Sequence, residues 1–128
     1  MFDNVKWDVI INKTIQYIKK WSYLIIKLDI SKTGYSAKYY YSENGIDYID
    51  LYTIIDSEKS FELLDFITPE LEKVTKKFDD YKEKMFVTVK VEKNGNVKVI
   101  YKDIKEGNKL PFDESNKHLI LSEEDKIK

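Results

Sequence analysis

The chain of 128 residues contains no cysteine and no arginine, and it has one histidine and four glycines. Without cysteine, a disulfide framework, a thiolate nucleophile and a thiolate-bound metal are all excluded. All 22 basic residues are therefore lysines. Arginine makes the usual bidentate contacts with guanine and phosphate, so its absence argues against direct, specific binding of DNA or RNA.

The scarcity of histidine and of glycine argues against further kinds of functional site. His118 stands alone, which argues against zinc sites and nucleophile–base dyads, and we interpret it as a surface or packing residue. The four glycines form no phosphate-binding loop. Carboxylate pairs such as Asp47 with Asp50 are expected by chance among 23 acidic residues. We therefore expect no catalysis, no metal or cofactor, and no small-molecule substrate.

Long apolar runs are also missing. No stretch approaches the ~18 apolar residues that a membrane-spanning helix needs. Charged residues interrupt the N-terminal 20 residues, which therefore lack the basic and apolar regions of a secretory signal. We expect a cytoplasmic protein without membrane contact.

The residues that are present indicate one folded domain. Hydrophobic residues make up 42% of the chain, charged residues make up 35%, and the net charge is −1. A chain of this length buries roughly two-thirds of its unfolded surface on folding, which is enough for a real core. We predict a single domain over residues 1–104. Residues 105–128 are interpreted as a polar tail that can dock through Leu119-Ile120-Leu121.

An amphipathic helix is predicted from Asp3 to about Lys20, with Asp3 as its N-cap. Its apolar residues follow one another at steps of three and four: Trp7, Ile11, Thr14, Ile18 and Trp21. The period then changes to two, since Leu24, Ile26, Leu28 and Ile30 alternate with the residues between them. That alternation predicts a strand with one buried face.

Two hairpins are predicted from their registers. A three-residue loop Glu43-Asn44-Gly45 pairs Tyr39 with Ile49, Ala37 with Leu51 and Lys38 with Asp50, which gives one clean apolar face. In the same way, a loop at Lys93-Asn94-Gly95 pairs Val91 with Val97 and Val89 with Val99. Two-residue Asn-Gly loops would instead mix apolar and charged side chains on both faces.

A second helix is predicted to begin at Thr68, with Thr68 as N-cap and Pro69 in the first helical position. Its apolar repeat is Leu71, Val74, Phe78, Tyr81 and Met85. Residues 56–67 are not assigned. The predicted fold class is α+β, with the order α-β-β-β-α-β-β. It is a single antiparallel sheet of about five strands with two helices on one face.

The segment from Tyr35 to Tyr52 holds six of the ten tyrosines. One interpretation is that Tyr39 and Tyr41 fill the core while Tyr40, Tyr48 and Tyr52 stack on their neighbours across the sheet. The alternative is a protein-binding face open to solvent, because exposed tyrosine among carboxylates is typical of interface hot spots. The candidate partner-binding residues are Tyr23, Asp29, Tyr40, Asp47, Tyr48, Asp50 and Tyr52.

Three stretches, "WSYLIIKLDI", "KYYY" followed by "YI", and "VTVKVEKNGNVKVIY", resemble the YezG/EsaG-like family of bacterial immunity proteins. The resemblance covers about residues 3–104 and consists of strand patterns without a catalytic signature. The family's longer apolar and aromatic C-terminal helix is missing here, and the segment before the second helix is shorter. The resemblance implies a cytoplasmic antitoxin that neutralises a nuclease toxin of a type VII-secreted or other polymorphic toxin system.

The implied partner is thus a cognate toxin protein. A nuclease domain is basic because it holds phosphates, so carboxylates and tyrosines on the inhibitor can occupy its groove. We expect alanine at Tyr48 and Asp50 to weaken toxin binding by more than ~2 kcal/mol if both are hot-spot residues. The alternatives are a non-catalytic adaptor or regulatory binding module unconnected to a toxin, and an enzyme, which would need a convergent acid pair such as Asp47 and Asp103.

Overall fold

The computed structural model describes residues 5–32, 34–77, 84–104 and 119–127, with residues 102–104 described by backbone alone. The elements follow the order α1 (Trp7–Ile15), β1 (Tyr23–Ser31), β2 (Gly34–Ser42), β3 (Ile49–Asp50), a 3-10 turn (Leu51–Thr53), α2 (Ser57–Thr75), β4 (Lys84–Glu92) and β5 (Val97–Ile104). This α+β order confirms the predicted fold class. Within the described part of the chain, no helix is both long and apolar enough to cross a membrane.

All strands join one antiparallel sheet in the order β3-β2-β1-β4-β5. β1 is central and pairs along its whole length with β2 and β4. Its inward residues Leu24, Ile26, Leu28 and Ile30 are fully buried. They share one core with Ile10 and Ile11 of α1 and with a stripe on α2, so both helices pack on the same face.

The first helix is shorter than predicted. It ends at Ile15 instead of Lys20, and two hydrogen bonds of the i to i+3 type, from Tyr17 N to Thr14 O and from Ile18 N to Ile15 O, tighten its C-terminal end. Lys6 precedes the helix without a side-chain cap. The predicted cap Asp3 lies outside the described residues.

The second helix begins twelve residues before the predicted start. Asp56 is its N-cap and accepts a hydrogen bond from Lys59 N at 2.8 Å. Pro69 therefore lies inside the helix, and the hydroxyl of Thr68 donates to Leu64 O. The prediction of Thr68 as cap is wrong because the buried stripe, Leu63, Ile67, Leu71 and Val74, continues across the proline. Met85 lies in β4, while Phe78 and Tyr81 fall outside the described residues.

The second hairpin has the predicted register, with Val91 opposite Val97 and Val89 opposite Val99. Gly95 has φ +108° in its loop, a backbone conformation that favours glycine. The first hairpin differs, because Tyr40 pairs with Asp50 and Tyr41 with Ile49. The register is displaced by two residues, so Ile49 and Asp50 keep their predicted faces although the predicted pairs are wrong.

Candidate protein-binding surfaces

The outer sheet face is the face turned away from the helices, and it is formed by the alternate residues of each strand. On β1 these are Tyr23, Ile25, Lys27 and Asp29, and the paired strands add Tyr40 and Lys38 from β2 and Lys90 and Thr88 from β4. Ile25 is fully buried and Lys27 is 4% exposed. The prediction that this face stays open is therefore wrong at its centre.

The C-terminal segment, residues 119–127, lies against this face. Two of its hydrogen bonds with the sheet use its main chain: the Tyr40 hydroxyl donates to Leu119 O at 3.0 Å, and Lys90 Nζ donates to Glu124 O at 2.8 Å. The Tyr48 hydroxyl donates to Ile127 O and accepts from Ile127 N at 2.9 Å. The sheet and Tyr48 thus form hydrogen bonds with the irregular backbone of residues 119–127 at several points.

One side-chain pair anchors the segment near the sheet centre. Lys27 Nζ lies 2.7 Å from Asp125 Oδ2, and both side chains are largely shielded from solvent. The same carboxylate oxygen accepts from Ser122 N and Ser122 Oγ, which closes a local turn. Burial raises the pKa of Asp125, but the hydrogen bonds from Lys27 and Ser122 outweigh it and hold the pKa below its usual value.

Four of the predicted site residues lie on or beside the outer sheet face but already have intramolecular roles. Tyr40 and Tyr48 bind the C-terminal segment, and the half-buried ring of Tyr23 lies below Gly45, where a Cβ would come within 3.1 Å of it. Asp50 accepts from Lys38 Nζ at 2.6 Å and from Tyr52 N, which caps the 3-10 turn. Burial is the main reason that the pKa values of Tyr40 and Tyr48 are raised.

Asp29 lies on the same face, between Ser36 and Phe86 in the strand ladder. Burial raises the pKa of its carboxyl group, and the positive charge of Lys84 opposes that change. Tyr40 and Asp50 pair directly with each other in the strand ladder, and Asp29 lies apart from this pair.

Tyr52 does not share the outer face with Tyr40 and Tyr48, as the extended third strand predicted. The chain turns into the 3-10 turn after Asp50, and the Tyr52 ring packs edge-on against Tyr39 with 5.9 Å between centroids. Its hydroxyl donates to Ala37 O at 2.9 Å. Burial, followed by the negative charge of Asp50, raises the pKa of Tyr52 to about 12. Tyr52 acts as a packing residue at the sheet edge.

Asp47 belongs to the asparagine loop of residues 43–48, which adjoins the C-terminal segment at Tyr48 and Gly45. The side chain of Asn44 accepts hydrogen bonds from Ile46 N and Asp47 N and donates to Asp47 Oδ2. The hydroxyl of Ser42 accepts from Asn44 N and Gly45 N. These bonds form the longer loop that displaces the hairpin register, and they fix the conformation of its tip.

Exposed isoleucines surround this loop and were not singled out from the sequence. Ile46 is 72% exposed at the tip, and Ile49 and Ile54 are exposed just after it. A shallow groove follows, lined by Ile49, Ile54, Glu43 and Tyr17 together with Lys19, Lys20 and Lys59. The sequence feature that could have identified them is that Ile46, Ile49 and Ile54 are apolar but follow no regular helical or strand period.

These surfaces present apolar side chains, carboxylates and lysines. No cluster of three potential metal ligands occurs among the residues that the structure describes. Asp47 is exposed, and the side chain of Asp103, its suggested catalytic partner, is outside the described set. Comparison with protein-family models finds no matching family, and comparison with curated proteins finds no similar sequence.

Proposed function

We propose that this protein is an immunity protein that binds and neutralises a cognate nuclease toxin by protein–protein contact, without turnover. The observation that supports the proposal most is the asparagine loop. It presents Ile46 and the carboxylates of Glu43 and Asp47 on a backbone fixed by side-chain hydrogen bonds. A fixed loop loses little conformational entropy on binding, which favours affinity.

The charge and polarity of the loop tip match the expected partner. A nuclease active site is basic because it binds phosphates, and carboxylates on an inhibitor accelerate association with such a site. An isoleucine that is 72% exposed can enter an apolar pocket beside the phosphate-binding groove. The family resemblance of the strand patterns supports the same assignment.

The first experiment is a pull-down of the tagged protein from its own host, with the bound proteins identified by mass spectrometry. We expect one stoichiometric partner whose nuclease activity appears only after this protein is removed. A partner that is equally active with and without this protein would contradict the proposal and favour a general adaptor. A toxin-like coding sequence beside the gene is the corresponding genomic expectation.

The contact surface is tested on the recovered complex with matched variants. Ile46→Ala is expected to weaken binding by about 2 kcal/mol or more if Ile46 is a hot-spot residue. Ile100→Ala, at an exposed isoleucine on β5, is the control and is expected to change binding by less than about 0.5 kcal/mol. Equal affinities for both variants would exclude the loop tip while leaving toxin binding itself intact.

Tyr48 and Asp50 are poorer probes of the contact, although their role in binding stays a prediction. Alanine at Asp50 would remove the ion pair with Lys38 and the cap of the 3-10 turn. Alanine at Tyr48 would remove both hydrogen bonds to Ile127. A loss of affinity in these variants would combine binding with rearrangement of the fold.

A further inference from the structure

The outer sheet face holds a segment of this chain, residues 119–127. Four of the hydrogen bonds from the sheet and the asparagine loop to residues 119–127 involve main-chain atoms of the segment, at Leu119, Glu124 and both polar groups of Ile127. Main-chain contacts of this kind do not depend on the identity of the side chains they hold. The face is therefore built to accept backbone.

The contact that selects for a particular side chain is the ion pair between Lys27 and Asp125. Lys27 is 4% exposed, and its ammonium group lies 2.7 Å from Asp125 Oδ2. A lysine this deeply buried needs a counter-charge, because transfer of an unpaired charge out of water is unfavourable. The serine three residues earlier binds the same carboxylate and shapes the turn that delivers it.

The charges of the two surfaces are complementary. The segment carries Glu123, Glu124 and Asp125 against a single lysine, Lys126. The sheet offers Lys27 and Lys90 to it directly, and Lys84 lies further along the same face of β4. Of the acids on this face, Asp50 is paired with Lys38, Asp29 is under the positive charge of Lys84, and Glu92 lies at the far end of β4.

From these contacts we propose that residues 119–127 are an intramolecular ligand of the outer sheet face, and that the face binds an acidic peptide segment of a protein partner in the same way when the C-terminal segment is displaced. The partner segment carries an aspartate for Lys27 and exposes its main chain to Tyr40, Tyr48 and Lys90. The inference does not rest on the proposed toxin binding, because it is tested with a peptide and without a toxin, although the asparagine loop adjoins the segment at Tyr48 and Gly45.

The experiment measures binding of a fluorescent peptide, LILSEEDKI, which is residues 119–127, to the full-length chain by anisotropy. In the wild type the attached segment competes at an effective concentration of the order of millimolar, so little binding is expected. Asp125→Asn weakens the attached segment, and we expect the same peptide to bind this variant at least tenfold more tightly. Glu123→Gln is the matched control, because it removes the same charge from a side chain that is 82% exposed.

A second measurement shows whether the segment is released. Hydrogen exchange of residues 119–127 is expected to be faster in Asp125→Asn than in the wild type, while β1 and β4 stay protected. The peptide with asparagine in place of its aspartate should fail to bind the variant. Unchanged exchange in 119–127, or equal peptide binding by wild type and Asp125→Asn, would overturn the proposal.

Two other occupants of the face are distinguished by the same samples. Tighter binding of a single-stranded oligonucleotide than of the peptide by Asp125→Asn would overturn the assignment of a protein partner. Sedimentation of the wild type as a dimer that Asp125→Asn dissociates would show that a second copy supplies the segment, and would also overturn it.

Discussion

Tyr52 shows how a residue chosen for binding can serve the fold. Its ring lies edge-on to Tyr39, its hydroxyl donates to Ala37 O, and Lys38 Nζ lies 5.4 Å from its ring centroid. Each of these contacts is made within the chain. Sequence periodicity assigned it to the outer face because the end of β3 at Asp50 has no apolar signature.

Tyr52→Phe is expected to lower the free energy of unfolding by about 1 kcal/mol, because it removes one part-buried hydrogen bond and keeps the ring. Urea denaturation at neutral pH measures the change. Tyr17→Phe is the control, since the Tyr17 hydroxyl meets Glu62 at an exposed position, and its effect is expected to stay below about 0.5 kcal/mol. Equal losses in the two variants would contradict a packing role for Tyr52.

The pH dependence follows from the same residue. The folded pKa of Tyr52 is about 12, above the ordinary value of 10.0, so its contribution to stability is complete below pH 10 and is lost as the pH rises toward 12. Denaturation between pH 9 and 11.5 should therefore show a shallower loss of stability in Tyr52→Phe than in the wild type. Identical slopes would contradict the raised pKa.

At the scale of elements, the two hairpins show which registers a sequence can reveal. Val89, Val91, Val97 and Val99 alternate strictly with polar residues around Gly95, and their pairing was predicted correctly. The first hairpin was predicted two residues off, because Ser42 and Asn44 build its loop with side-chain hydrogen bonds that the period of two does not encode. Face assignment survives such a shift and pairing does not.

Gly45 in that loop is tied to the rest of the molecule. It has φ +79°, and a Cβ there would lie 3.1 Å from the Tyr23 ring and 3.2 Å from Ile127 O. Gly95 also has positive φ, but nothing lies within 4 Å of its Cβ position. Gly45→Ala should therefore destabilise the protein more than Gly95→Ala, for which backbone strain alone is expected to amount to about 1–2 kcal/mol. Urea midpoints of the two variants, compared with the wild type, test this order.

Only the second half of α2 was predicted, because a proline preceded by threonine is typical of a helix start. The real start at Asp56 carries the same kind of cap, and the stripe from Leu63 to Val74 continues through Pro69 because burial outweighs the lost hydrogen bond. An interior proline disfavours a helix by about 3 kcal/mol relative to alanine and restricts the unfolded chain by up to about 1 kcal/mol.

Pro69→Ala is therefore expected to stabilise the protein by about 1–2 kcal/mol. The measurement is the urea midpoint, with the far-ultraviolet circular dichroism of the native state recorded alongside. Glu72→Ala, one turn later at an exposed position, is the control for the higher helix propensity of alanine alone. Destabilisation by Pro69→Ala would show that the proline suits this position of α2 better than alanine does.

At the scale of the whole molecule, the sheet faces differ in how far a sequence can describe them. The sheet face that packs against the helices can be predicted from local sequence, since the alternation in β1 and the apolar spacing in the helices indicate it. On the other face, the counter-charge of the buried Lys27 comes from Asp125, about a hundred positions away. Strand β1, which the sequence predicted to have one buried face, is thus buried on both faces. The contact with Asp125 leaves no periodic pattern in the sequence that could reveal it.

This long-range contact should make the C-terminal segment the first part of the described structure to respond to acid. The folded pKa of Asp125 is lowered, so the stability it gives is present above the ordinary pKa of about 4 and is lost as the pH falls through the folded value. Asp29 has the opposite sign, because its raised pKa means that protonation favours the folded sheet. Acid therefore weakens the hold on residues 119–127 without weakening β1 through Asp29.

We expect amide protection factors in residues 119–127 to fall at a higher pH than those in β1 and β4, when all are measured by hydrogen exchange between pH 5 and 2 and corrected for intrinsic rates. In Asp125→Asn the segment should be poorly protected throughout and largely insensitive to pH in this range, because the titrating carboxylate is gone. Loss of protection in the segment and the sheet at one common pH would mean that the segment is an integral part of the cooperative fold. In that case acid would release it only by unfolding the sheet on which it lies.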